Sequence, residues 1–147
     1  MTDAEAQARA GVCTLARQWL GTPWHHQARV PGAGGDCAQL LIAVYAAAGL
    51  LEAFDPGNYA IDHMLHSDQE VFRGWCERFA WRVDAPKQGD VVLWRFGRTY
   101  SHGGIVINWP GEVIHAFRPF GGVCITPSNA SRLAGREVVF YSLDRKS

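Results

Sequence analysis

One cysteine and two histidines in this 147-residue chain stand where covalent acyl transfer would need them. Cys37 follows Gly34-Gly35-Asp36 and opens a segment of helical pattern. At a helix's first turn the backbone N–H groups are unpaired and the dipole is positive. Both favour a thiolate, so the sequence predicts a thiol pKa below about 8.5. The same N–H groups can hold an oxyanion, and the glycines let a ligand approach the backbone. The alternative for Cys37 is a small buried core thiol.

His102 lies in Tyr100-Ser-His-Gly-Gly104, ahead of the apolar run Ile105-Val-Ile107. This places it at the mouth of a strand, with two glycines leaving room beside it. An imidazole there can take the thiol proton and later protonate a leaving amine. A water-exposed turn histidine is the plainer reading. His115 stands in Glu112-Val-Ile-His-Ala-Phe117. Strict alternation puts Val113, His115 and Phe117 on one face, where His115 is either a satisfied core residue or the polar group that fixes the base's tautomer.

His25 and His26 follow Pro23-Trp24. With Cys37, His102 or Cys124 they are conceivable zinc ligands, but adjacent histidines lack a diagnostic metal spacing. A wall of the substrate cleft suits them better, so no metal or cofactor is expected. Asp36 reads as a helix cap. Cys13, Cys76 and Cys124 read as packing residues, and with no C-x-x-C pair neither a zinc ribbon nor a disulfide scaffold is indicated.

The elements that must hold these residues follow from periodicity. Thr2 and Glu5 form a capping box, and Ala8, Val12, Leu15, Ala16 and Trp19 keep helical spacing up to Gly21. A glycine-rich loop spans 30–36. A second helix runs from about 36 to 48 on Leu40, Leu41, Val44, Tyr45 and Ala48, with Gly49 as its stop. After the turn-rich stretch 50–65, Ser67 and Glu70 open a third helix with Val71, Phe72, Trp75 and Phe79 inward. Strand-like segments then fall at 90–96, 103–108, 112–117, 122–126 and 137–143. Helices first and strands after predict an α+β fold, N-terminal helices on a mostly antiparallel sheet of five to six strands.

Composition bounds the function. The length fits one domain, residues 1–147. Fourteen Lys and Arg balance fourteen Asp and Glu, which removes the basic excess of a nucleic-acid binder. No run approaches ~20 uninterrupted apolar residues, so no membrane span is expected. The polar N-terminus, MTDAEAQARAGVC, lacks the apolar core of a signal peptide.

Taken in order, these segments resemble the NlpC/P60 family of papain-like cysteine peptidases. The matching pieces are Trp19-Leu-Gly-Thr-Pro-Trp24, Asp36-Cys-Ala-Gln-Leu40, Gln88-Gly-Asp-Val-Val-Leu93, Ser101-His-Gly-Gly-Ile105 and Ile114-His-Ala116, across residues 12 to 117. The segment from Thr22 to Ala28 with Gly34-Gly-Asp-Cys37 is most similar to the phage-tail and gene-transfer-agent cell-wall peptidases. Trp24 stands where the family often has Tyr, and Ala38-Gln39 where it has Ser-Gly.

The resemblance implies hydrolysis of an amide in peptidoglycan stem peptides, usually between γ-D-glutamate and a diamino acid. It implies Cys37 as nucleophile, His102 as base and His115 as the orienting group. Trp24, His25, His26, Asp36 and Ser101 would border the substrate. The expected lack of a signal peptide points to synthesis in the bacterial cytoplasm, and the resemblance implies delivery to the wall as part of a phage-like particle. A related cysteine amidase or acyltransferase, and a non-catalytic tail or wall-binding module on the same scaffold, are the alternatives.

Overall fold

The computed structural model describes residues 1–57, 59 and 70–143. Helix α1, Asp3–Arg17, starts where expected: the Thr2 side chain accepts a hydrogen bond from the Glu5 amide at 3.1 Å. Its inward face is Val12, Cys13 and Ala16, with Arg9. Ala8, expected inward, is exposed. Arg9 takes the inward place because its charge is matched there: Nη1 lies 2.7 Å from Asp90 Oδ1 and 3.0 Å from the Gln88 carbonyl, and Nε lies 3.1 Å from Glu5. A buried charge is tolerable only when paired in this way.

Helix α2, Cys37–Ala47, buries Leu40, Leu41, Val44 and Tyr45 as its stripe predicts, and also Ala38, Gln39 and Ile42. It is covered on more than one side. Helix α3, Val71–Phe79, presents Phe72 and Cys76 to the core, with Val71, Trp75 and Phe79 half-buried. The expected cap Ser67 lies outside the described residues. Glu70 occupies the N-cap position without a capping bond and instead accepts the Tyr100 amide at 2.8 Å, tying α3 to the sheet.

A short hairpin pairs β1, Arg29–Val30, with β2, Gly34–Gly35. The main sheet has six strands: β3 Trp81–Val83, β4 Val91–Phe96, β5 Thr99–Val106, β6 Glu112–Phe117, β7 Gly122–Pro127 and β8 Val138–Ser142. The order is β3-β8-β4-β5-β6-β7, and every neighbouring pair is antiparallel. The expected α+β architecture is present, with β3 as an added edge strand.

Both faces of the sheet are apolar. Leu93, Ile105, Ile114 and Ala116 share one core with the helices. Val92, Trp94, Phe96, Val106, Val113 and Phe117 form a second, closed by Leu133 and Phe140. That is why β4 reads as a continuous apolar run rather than an alternation.

Candidate active site

Asp36 builds the start of α2. Its backbone is extended, and its Oδ1 accepts the Gln39 amide at 2.9 Å, the capping role expected of it. Oδ2 accepts the Gln27 amide at 2.7 Å and the Tyr59 hydroxyl at 2.6 Å. Asp36 is only 3% exposed, so its carboxylate is given to the fold. Gln39, which replaces a glycine of the resembled motif, bonds Arg29 Nε at 2.6 Å and Tyr59 at 3.4 Å. The first turn of α2 is thus laced to the segments on either side.

Cys37, the first residue of α2, points its thiol at the Ser101 carbonyl, 4.0 Å away. The amides of Gly103, Ala38 and Cys37 itself act on the sulfur and favour the thiolate. They do not prevail. Burial first, and the Asp36 charge second, push the thiol up to about 12. The expectation of a lowered thiol pKa is therefore corrected: the helix start supplies N–H groups, but the partial burial of the thiol and the carboxylate beside it outweigh them.

His102 lies within β5, not at a strand mouth, because the strand begins three residues earlier at Thr99. It follows a bulge: Trp94 pairs with His102 and Arg95 with Tyr100, which leaves Ser101 as the extra residue. Its ring stacks on Trp94 at 5.3 Å and meets Phe117 at 4.5 Å. Its Nε2 lies 2.8 Å from Nδ1 of His115, whose own Nε2 lies 2.9 Å from the Thr126 hydroxyl. His115 shares the face of Val113 and Phe117, as alternation predicts, and has no exposed surface. Burial holds the His102 imidazole well below its ordinary pKa, with His115 and Arg136 adding to the effect; burial alone lowers His115 to about 4. Both rings are neutral at pH 7.

The two glycines after His102 make this packing possible. A Cβ on Gly103 would stand 2.8 Å from Phe72 on the helical side. One on Gly104 would stand 3.0 Å from both the His115 Cβ and the Ile114 carbonyl. The structure therefore brings His102 and His115 together. It sets the Cys37 thiol against the peptide groups on both sides of His102. Among the described residues no hydrogen bond joins that thiol to either ring.

The remaining site candidates surround the loop leading to Cys37. Trp24 bridges Gly35, and Arg118 lies 5.3 Å over its ring. His26 packs edge-on against Tyr59 at 5.1 Å, while His25 is exposed. Ser101 is buried, and its hydroxyl has no hydrogen-bond partner among the described residues. Among those residues no three His, Cys, Asp or Glu side chains converge to hold a metal ion.

Sequence reasoning missed Tyr59 and Thr126. Tyr59 lies in a turn-rich stretch with no motif around it. Thr126 was accessible by counting: β7 pairs with β6 across a short turn, with His115 opposite Cys124 and Val113 opposite Thr126. That register puts Thr126 on the His115 face.

No family model and no curated protein matches the sequence. Solved structures do match in shape. The NlpC/p60 domain of the peptidoglycan hydrolase SagA aligns with a TM-score of 0.59 and 22% identity, over 91% of this chain and 97% of that one. The peptidoglycan hydrolase RipB from Mycobacterium tuberculosis aligns with a TM-score of 0.64 and 18% identity, over 97% of this chain and 68% of that one. Three described helices on a six-stranded antiparallel sheet, with a cysteine opening the second helix, are thus arranged in the NlpC/p60 fold.

Proposed function

We propose that this chain is a cysteine peptidase of the bacterial cell wall that hydrolyses an amide in peptidoglycan stem peptides, the γ-D-glutamyl–diamino acid bond being the best candidate. The observation that carries this reading is the 2.8 Å contact between His102 Nε2 and His115 Nδ1, beside a helix-opening cysteine. The NlpC/p60 fold, shared with two peptidoglycan hydrolases, supports the substrate class. The resemblance of the segment around Trp24 and Cys37 supports a place in a phage-tail or gene-transfer-agent particle.

The resting state is a neutral thiol and a neutral imidazole with no hydrogen bond between them, so the proton moves during attack rather than before it. As Cys37 Sγ bonds the amide carbon, its proton passes to His102 Nδ1. The oxyanion rests on the Cys37 and Ala38 amides, since the Gln39 amide is already given to Asp36. The imidazolium then protonates the departing amine, the C–N bond breaks, and a thioester remains. Water attacks the thioester as His102 takes its proton, and the C–S bond breaks to restore the thiol.

Mass spectrometry of muropeptides tests the reading. Wild type should yield cleaved stem peptides, and Cys37→Ala none. The high thiol pKa favours one rival, a wall-binding module on the same scaffold. Sedimentation of the protein with purified walls, without any released product, would establish that rival instead.

A further inference from the structure

The His102–His115 pair does not end at His115. We propose that Thr126 is a positioning residue that fixes the tautomer of both rings, keeping the proton of each on Nε2 and leaving Nδ1 of His102 bare. The proton-accepting role of that Nδ1 rests on the proposed cysteine peptidase chemistry; the tautomer itself does not.

Thr126 Oγ1 touches two groups, His115 Nε2 at 2.9 Å and the Pro127 carbonyl at 3.2 Å. A carbonyl only accepts, and a hydroxyl has one proton to donate. With that proton on Pro127, Thr126 must accept from His115 Nε2–H. A neutral imidazole has one N–H, so His115 Nδ1 is an acceptor, and His102 Nε2–H donates to it across 2.8 Å. The one proton of His102 is thereby spent, and its Nδ1 carries a lone pair.

The opposite chain is poorer. Thr126 would turn its proton from Pro127 to His115 Nε2, His115 Nδ1–H would donate to His102 Nε2, and His102 would carry its proton on Nδ1. The Pro127 contact would be lost. The His102 Nδ1–H would be buried without a hydrogen-bond acceptor among the described residues, the ring's one bond there being made by Nε2. A buried donor with no partner is disfavoured more than a bare buried lone pair.

Long-range proton–nitrogen NMR of the histidine rings at pH 7.5 reads the tautomers directly. Wild type should show protonated Nε2 and bare Nδ1 in both His102 and His115. Thr126→Val keeps the shape but removes the acceptor, so the His102 signals should shift toward the Nδ1–H form. Thr126→Ser should restore the wild-type pattern. If either ring carries its proton on Nδ1 in wild type, or if Thr126→Val leaves both patterns unchanged, the proposal is wrong. Should Thr126→Val not fold, the wild-type and Thr126→Ser spectra still decide. If the tautomers behave as stated while no variant, nor wild type, cuts the wall, the peptidase reading fails and the tautomer assignment stands.

Discussion

The Cys37 thiol faces the carbonyl oxygen of Ser101 at 4.0 Å and makes no hydrogen bond to the ring of His102, the next residue along that strand. Sulfur and base are neighbours through the backbone rather than paired through their side chains. The free protein therefore holds a protonated thiol.

This sets the alkylation behaviour of Cys37. Its rate with iodoacetamide should keep rising with pH beyond the ordinary thiol range of ~8.5, toward the value of about 12 imposed by burial. Peptide mapping across pH 6 to 10 measures it. A plateau reached by pH 8 would mean that the helix-start amides outweigh the burial after all.

The histidine pair makes stability depend on pH. Its folded pKa values lie below the unfolded value of ~6.5, with His115 at about 4. Between those values the unfolded chain binds more protons than the folded one, so stability rises with pH. The contribution is fully present above ~6.5 and is lost as pH falls toward 4. Urea denaturation at pH 5 and 7.5 should show the loss, and His115→Gln should reduce it. Equal stability at the two pH values would contradict the buried, neutral pair.

The two histidines should separate in activity. His102→Ala removes the proton carrier and should lower turnover by roughly 10²–10⁴. His115→Asn and His115→Gln keep a polar partner and should retain measurable rate, with His115→Ala between them and His102→Ala. Initial rates and melting temperatures of the set decide the roles. A fully active His115→Leu would make His115 a core residue and nothing more.

Arg9 and Asp90 carry a structural prediction. Their 2.7 Å ion pair is buried, with Arg9 7% and Asp90 2% exposed. Removing Asp90 takes from the buried Arg9 guanidinium one of its two carboxylates and leaves Glu5 as the other, so Asp90→Ala should cost about 3 kcal/mol, the low end for a broken buried pair. The double variant Arg9→Met with Asp90→Leu should recover much of it. Denaturation of the three variants tests this, and a loss below ~1 kcal/mol in Asp90→Ala would show that the pair is not buried as drawn.

Much of this was legible in the sequence, because it depended on local pattern. Asp36 before an apolar stripe announces a cap, and strict alternation puts His115 with Val113 and Phe117. What was not legible depended on distant partners. Arg9 turns inward only because Asp90, 81 residues away, meets it. Strand β3 is short, and Trp81 in it is exposed, so no alternation marks it. The thiol's raised pKa reflects what packs over α2, which no helix-start signature contains.

Gly103 and Gly104 point to opposite faces of β5, and neither face has a side chain there. At that place the sheet is one peptide thick, a bare partition with Phe72 and Leu41 pressed against one side and Trp94 and His115 against the other. The apolar helical core and the histidine chamber therefore share a wall and are not insulated from each other. A change in the volume of Phe72, which makes no contact with either ring, should be felt at the imidazoles as a displacement of the strand that carries His102. The geometry of the histidine pair is thereby made sensitive to the packing of the third helix.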